Sequence, residues 1–288
     1  MIDDQAEAAL AARPAAKPLT VVGATRGWRA VDLVEILRHR DLLKFLIWRD
    51  LKVRYQQTLL GGLWAILQPL ATTGLFTLVF GKLAKLPSDG VPYPLFSFVG
   101  VMVWSVFSQG LNGAVGSLVG STQLVEKVYF PRLILPLATV LKGLADFGIA
   151  FVFLLFLMFF YGAHLHWTAL WVAPLILIAL VAALGVGAGL GALNVRYRDV
   201  RQTMPLLTQV WLFLTPVAYP ASLAPQAWRP LLGLNPMAGV VEGCRWALLG
   251  NIPPPIDLIA ISTCSALVML AAGLAVFRRM EGSFADII

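Results

Sequence analysis

Two charges four residues apart inside an apolar run are the first place where this sequence could do chemistry. Lys142 and Asp146 sit in "LILPLATVLKGLADFGIAFVFLLFLMFF", and at i, i+4 they share one helix face. Charge in such a segment is costly unless it is paired or meets a polar volume. One reading is a polar patch lining a conduit. The other, commoner outcome is an ion pair closed between helices, or Lys142 stretching its stem toward an interface.

The other reactive residue types offer less. His164 and His166 lie in a short turn and His39 in a basic stretch. No two carboxylates have the spacing of an acid–base pair. Cys244 and Cys264 stand twenty apart without a CxxC or a histidine at ligand spacing, which argues against a metal site or disulfide framework. No GxxxxGK[ST] phosphate cradle occurs: Gly81-Lys82 is followed by Leu. An enzyme is disfavoured, and no metal or cofactor is expected in this chain.

The elements that carry these residues are apolar. The chain has 288 residues, 59% hydrophobic and 13% charged, with mean hydropathy +0.79, whereas soluble domains carry about a quarter charged residues. The composition is that of an all-α polytopic membrane protein. Six windows approach the roughly 20 apolar residues a spanning helix needs: about 63–83, 95–119, 133–160, 168–193, 203–219 and 256–277. Prolines inside them, Pro216 among them, do not exclude spans.

The net charge of +7 records topology before partners, and no independent basic domain suggests nucleic acid. Residues 1–60 hold ten Lys and Arg. The 120–132 connection holds Lys127 and Arg132, 194–202 holds Arg196, Arg198 and Arg201, and the tail holds Arg278 and Arg279. The alternate connections hold fewer, so both termini are expected in the cytoplasm. Residues 1–29 are expected to be disordered there, with no secretory signal visible, and 281–288 form a cytoplasmic tail.

Two segments are non-spanning. Residues 30–60 read as a moderately amphipathic basic helix and a basic loop leading into the first span. Such a helix lies in the membrane interface or serves only as a topology anchor. The segment about 223–250 holds two apolar pieces broken by prolines, Arg229, Glu242 and Arg245. Each is too short to span, which suits a re-entrant helical hairpin before the last span, or interfacial helices on the outer side; the alternative is an ordered external loop. Gly185, Gly187, Gly189 and Gly191 give overlapping GxxxG spacings for close helix packing. Among the mid-span aromatics, Phe107, Trp211 and Phe213 are the candidates for stacking on sugar rings in a channel; core packing is the commoner use.

Four blocks, "WRDLKVRYQQTLLGGLWAILQP", "KVYFPRLILPL", "LNVRYRDVRQTMPLLTQVWLFLTPV" and "LNPMAGVVEGCRWALLG", together resemble the ABC-2 type permeases of polysaccharide exporters. The likeness runs in order over about residues 30–280. It implies a homodimer of six-span subunits in a bacterial inner membrane, resting on two copies of a separate ATPase that binds ATP and Mg. The substrate it implies is an undecaprenyl-pyrophosphate-linked glycan such as O-antigen, capsule or teichoic acid, with O-antigen preferred. On that resemblance Arg49, Lys52, Arg54 and Tyr55 would meet the lipid pyrophosphate, Arg by a bidentate fork. Glu126, Tyr129, Arg196 and Asp199 would contact the ATPase, and spans one and five would line the dimer seam. The rivals are an ABC-2 permease for a drug or lipid, and a membrane enzyme acting on polyprenyl-phosphate sugars.

Overall fold

In a computed structural model, residues 33–56, 61–250, 253–282 and 284 are described. The expected disordered segment 1–29, the turn residues 57–60 and most of the tail 281–288 lie outside them. Every regular element among the described residues is helical.

Two helices, α1 (Leu33–Arg38) and α2 (Arg40–Gln56), precede the spans. The first span begins at Gly61, whose φ of +47° is left-handed and strained for any residue with a side chain. One 3-10 turn, Gly61–Leu63, leads into α3 (Trp64–Phe76), and the helix then widens to a π-helix over Thr77–Leu83. Next come α4 (Tyr93–Ser117), the short α5 (Thr122–Lys127) and α6 (Ile134–Phe160). They are followed by α7 (Val172–Arg196) behind a 3-10 turn, then α8 (Asp199–Leu214), α9 (Arg229–Gly233), α10 (Pro236–Leu249) and α11 (Ile256–Glu281).

Five helical stretches among the described residues are long and apolar enough to cross a membrane: Gly61–Leu83, Tyr93–Ser117, Ile134–Phe160, Trp167–Arg196 and Ile256–Glu281. They match five of the six windows to within a few residues. The window 203–219 does not hold as one helix. A residue before proline is pushed out of the α region, and Thr215 before Pro216 is extended at ψ 138°, so α8 stops at Leu214. Its start moves back to Asp199, a carboxylate favoured in a first helical turn. The resulting 16 residues rise ~24 Å, short of a hydrocarbon core of roughly 30 Å.

Of these stretches α4 is the central one. Its most apolar window is 78% buried, against 17–44% for the other four. The glycine-rich part of α7 makes this packing possible by serving two neighbours. A Cβ on Gly187 would come 2.6 Å from the Ala114 Cβ, and one on Gly191 3.0 Å from the Ala114 carbonyl oxygen, both on α4. On the other side, a Cβ on Gly185 would lie 2.4 Å from the Leu270 Cα, and one on Gly273 1.7 Å from the Gly185 oxygen. Alternate glycines thus seat α7 against α4 and α11 by backbone approach, as the GxxxG spacing suggests.

The non-helical chain after α8 needs partners for its carbonyls inside an apolar assembly. Arg245 of α10, only 2% exposed, supplies them. Its Nη1 donates to the Pro216 oxygen at 2.7 Å and Nη2 to the Val217 oxygen at 2.5 Å, while Nε reaches the Phe96 oxygen at 3.3 Å. The charge is met by Glu242 at 2.9 Å and by the Phe96 ring, 3.5 Å from the guanidinium carbon. Glu242 in turn accepts the Ala221 N–H at 2.9 Å. The segment expected as a hairpin folds as α9 and α10, joined at Leu234–Asn235. The Asn235 side chain caps α10 by accepting the Met237 N–H.

Two stability outcomes follow. Arg245→Ala strands a buried carboxylate and several carbonyls and should cost about 3–5 kcal/mol, read as a large drop in the melting point of the detergent-purified protein. Gly273→Ala should separate α7 from α11 and cost about 1–3 kcal/mol. Gly148→Ala, where an added Cβ meets nothing within 4 Å, should leave the same melting point unchanged.

Candidate functional site

Polar residues recur at helical spacing inside the apolar helices, and the fold collects them. On α4 they are Ser108, Gln109 and Asn112; on α6, Thr139, Lys142 and Asp146; on α8, Thr208 and Gln209. Together with Gln68 of α3, Trp104 of α4 and Arg54 of α2 they line a cavity of about 580 Å³. A second cavity of about 330 Å³ adjoins it and shares Asn112, Thr139 and Lys142. Its other walls include Arg49 and Asp50 of α2, Gly116 and Ser117 at the end of α4, Gly120 and Ser121 just after it, and Arg201 of α8.

The main electrostatic contact of the site joins segments about 90 positions apart. Arg54 Nη1 lies 2.6 Å from Asp146 Oδ2 and donates also to Gln109 Oε1 at 3.0 Å. The neighbouring Tyr55 hydroxyl donates to the other carboxylate oxygen, Oδ1, at 2.5 Å. Burial, and then the hydrogen bond to Asp146, push the Tyr55 phenol up to about 12, so it remains a donor at physiological pH. The Asp146 side chain is 7% exposed and that of Arg54 32%. Gln109 lies eight residues before the end of α4 at Ser117, so the C-terminal end of α2 is held two turns in from that end.

This pairing corrects the reading of Lys142 and Asp146 as a mutual ion pair. Asp146 is taken by Arg54 and Tyr55, and Lys142 faces the cavities with no ion pair among the described residues. A one-helix projection shows that two residues share a face. It does not show a second helix approaching that face with a better donor.

Of the four basic-segment residues, only Arg54 and Tyr55 are brought together. Arg49 turns to its neighbour Asp50, with Nη2 2.9 Å from Oδ1. Lys52 lies over the Trp48 ring, 4.6 Å from its centroid, and lines neither cavity. Among the aromatics, Phe107 is fully buried and meets Trp211 edge to face at 5.0 Å. The Trp211 indole donates to Asn235 Oδ1 at 2.9 Å. Phe107 packs, and Trp104, three residues earlier, is the aromatic on the cavity wall. Phe213 is half exposed on the outer side of α8.

Glu126 and Tyr129 are exposed on the connection between α4 and α6, and Arg196 and Asp199 on that between α7 and α8. Both connections stand at one end of the bundle, where Arg201 shares a cavity wall with Gly120 and Ser121. The end of α11 is tied there too: Arg132 Nη1 donates to the Glu281 carbonyl, and its guanidinium lies 5.8 Å from the Phe284 ring centroid. No cluster of three His, Cys, Asp or Glu suited to a metal occurs among the described residues.

Ser108, Asn112 and Thr139, cavity residues that sequence reading did not single out, carried a signal. Thr139, Lys142 and Asp146 follow i, i+3, i+7 on α6, and Ser108 and Asn112 follow i, i+4 on α4. This is a polar stripe of helical period inside an apolar segment, found by applying to polar residues the test used for apolar ones.

Known proteins share this arrangement of sequence. The chain is 30% identical over 256 residues to the O-antigen export system permease protein RfbA of Myxococcus xanthus, covering 88% of this chain and 97% of that one. It is 25% identical over 249 residues to the RfbA of Klebsiella pneumoniae, covering 86% and 95%. It is 24% identical over 244 residues to the polysialic acid transport protein KpsM of Escherichia coli, covering 82% and 92%. The family model described as ABC-2 type transporter matches residues 41–249, a stretch that takes in α2, the two cavities, Arg245 and every helix between them. The chain belongs to the ABC-2 type transporter family.

Proposed function

We propose that this chain is the permease subunit of an ABC transporter that exports polysaccharide, an O-antigen chain carried on undecaprenyl pyrophosphate. The observation that carries the reading is the polar cavity among apolar helices. Amides, hydroxyls and a Trp face are what a polyhydroxylated passenger requires of its walls, because each sugar hydroxyl that leaves water must find a replacement partner. A drug or apolar lipid would need none of them. The relatives named for O-antigen export, aligned along nearly their whole lengths, support the same passenger. The polysialic acid relative favours capsular polysaccharide as the second reading.

The working unit is a homodimer seated on two ATPase subunits. Both termini lie on the cytoplasmic side of the inner membrane, with α2 at that interface. α8 and the non-helical chain after it make a sixth crossing, and α9 and α10 re-enter from the far side. Exposed Leu70 and Leu75 of α3, Leu78 of the π-helix after it, and Leu206, Val210 and Leu214 of α8 form the apolar seam between protomers. The exposed Glu126, Tyr129, Arg196 and Asp199 receive the ATPase, whose closure on ATP and Mg moves the two connections. The pyrophosphate arrives at α2, and the glycan follows through the polar cavity.

The Arg54–Asp146 contact dictates how a role of Arg54 in substrate binding must be tested. Arg54→Ala alone leaves Asp146 buried without its cation, so lost export could reflect misfolding. Arg54→Ala combined with Asp146→Ala removes both charges and should recover most of the melting point lost by the single variant. If Arg54 also meets the pyrophosphate, the double variant should be folded yet at least tenfold slower in export. Normal export by the double variant would confine Arg54 to pairing with Asp146.

The function itself is tested by depleting the chain in its host and locating lipid-linked polysaccharide. Loss of surface glycan with accumulation on the cytoplasmic leaflet is expected, and its sugars identify the passenger. Unchanged surface glycan without accumulation contradicts the reading.

A further inference from the structure

We propose that Lys142 of α6 and Arg201 of α8 together form a binding site for a diphosphate ester, separate from the Arg54–Asp146 contact. The inference rests on the export reading and names the residues that receive the anionic part of its substrate.

Charge balance in the two adjoining cavities leads to it. Their walls hold four cations, Arg49, Arg54, Lys142 and Arg201, and two carboxylates, Asp50 and Asp146. Each carboxylate is matched to an arginine, Asp50 to Arg49 at 2.9 Å and Asp146 to Arg54 at 2.6 Å. Lys142 and Arg201 make neither ion pair nor side-chain hydrogen bond among the described residues, and both line the 330 Å³ cavity. Two uncompensated cations on one partly enclosed wall focus a positive potential there and draw in an anion.

The shape of the wall fits a ligand of some bulk. Gly116 and Gly120 line the same cavity as the two cations, and a Cβ on either would meet nothing within 4 Å. Ser121 adds a hydroxyl on the same wall. The two cations come from different helices and differ in kind: the guanidinium can fork onto two oxygens of one phosphate, and the ammonium acts as a point charge on another. A diphosphate offers charge on two adjacent phosphorus centres and can engage both, whereas a lone carboxylate engages one. Lys142 also lines the larger cavity, so a ligand held there already adjoins Gln109 and Arg54.

Full-length protein in discs of uncharged phosphatidylcholine should bind farnesyl diphosphate, with affinity falling as salt rises. Lys142→Gln and Arg201→Gln should each weaken that binding about tenfold or more, the gain of a charge-assisted contact. Lys142→Arg should stay within a few-fold of the parent. Inorganic pyrophosphate binding as tightly would mean the site reads the diphosphate alone, and much weaker binding would mean it needs the lipid; both agree with the proposal. Unchanged affinity in the Lys142→Gln, Arg201→Gln double variant overturns it, as does equal competition by phosphatidylglycerol vesicles. Export separates the two levels. If surface polysaccharide depends on the chain but the double variant supports it fully, the anion pair fails alone. If depletion leaves surface polysaccharide intact, the export reading fails whatever binds.

Discussion

A carboxylate cannot stay charged inside an apolar bundle without a cation and hydrogen-bond donors brought to it. Asp146 gets both from one short stretch of α2, with Arg54 on one oxygen and Tyr55 on the other. That single contact fixes where α2 sits, two turns in from the end of α4 and about three turns into α6. It thereby makes Arg54 a wall of the larger cavity and Arg49 a wall of the smaller. It also leaves Lys142, four residues before Asp146 on α6, facing the polar volume. The charge pattern of the site follows from one pairing preference.

The far part of the molecule solves a similar problem in the opposite direction. There the cost lies in unpaired backbone, created when Pro216 ends α8, and Arg245 donates to the freed carbonyls while Glu242 balances its charge. One site uses a buried acid to hold a helix, and the other uses a buried base to hold a non-helical segment. Both stabilise only while complete, because removing one partner leaves the other charge stranded. Between them the helices meet through glycine backbone at Gly185 and Gly273, where no side-chain chemistry is needed.

Much of the helical layout was legible because spanning length and apolar content are local properties. Five of the six windows emerge as long apolar helices, and the segment before the last stretch folds as two short helices. The GxxxG spacing of α7 also translated directly, since small residues at that interval have one main structural use. Pro216 was read too permissively: an internal proline can be tolerated in a span, but here the constraint on Thr215 ends the helix. The site was less legible because its key contact is non-local. Sequence spacing pointed Lys142 at Asp146, and nothing in either residue's neighbourhood shows that Arg54 competes and wins. The four basic-segment residues looked equivalent in sequence. Asp50 and Trp48 on the same helix occupy Arg49 and Lys52, which separates them from Arg54 and Tyr55.

The central claim, that polysaccharide travels through the polar cavity, is tested most directly by photo-crosslinking in living cells. A photoreactive residue at Thr208, on the cavity wall, is compared with one at Val152, which is 67% exposed on the outer side of α6. Glycan-bearing adducts at Thr208 and only phospholipid adducts at Val152 are the predicted result. Phospholipid adducts alone at both positions, in cells that display the polysaccharide, would contradict it.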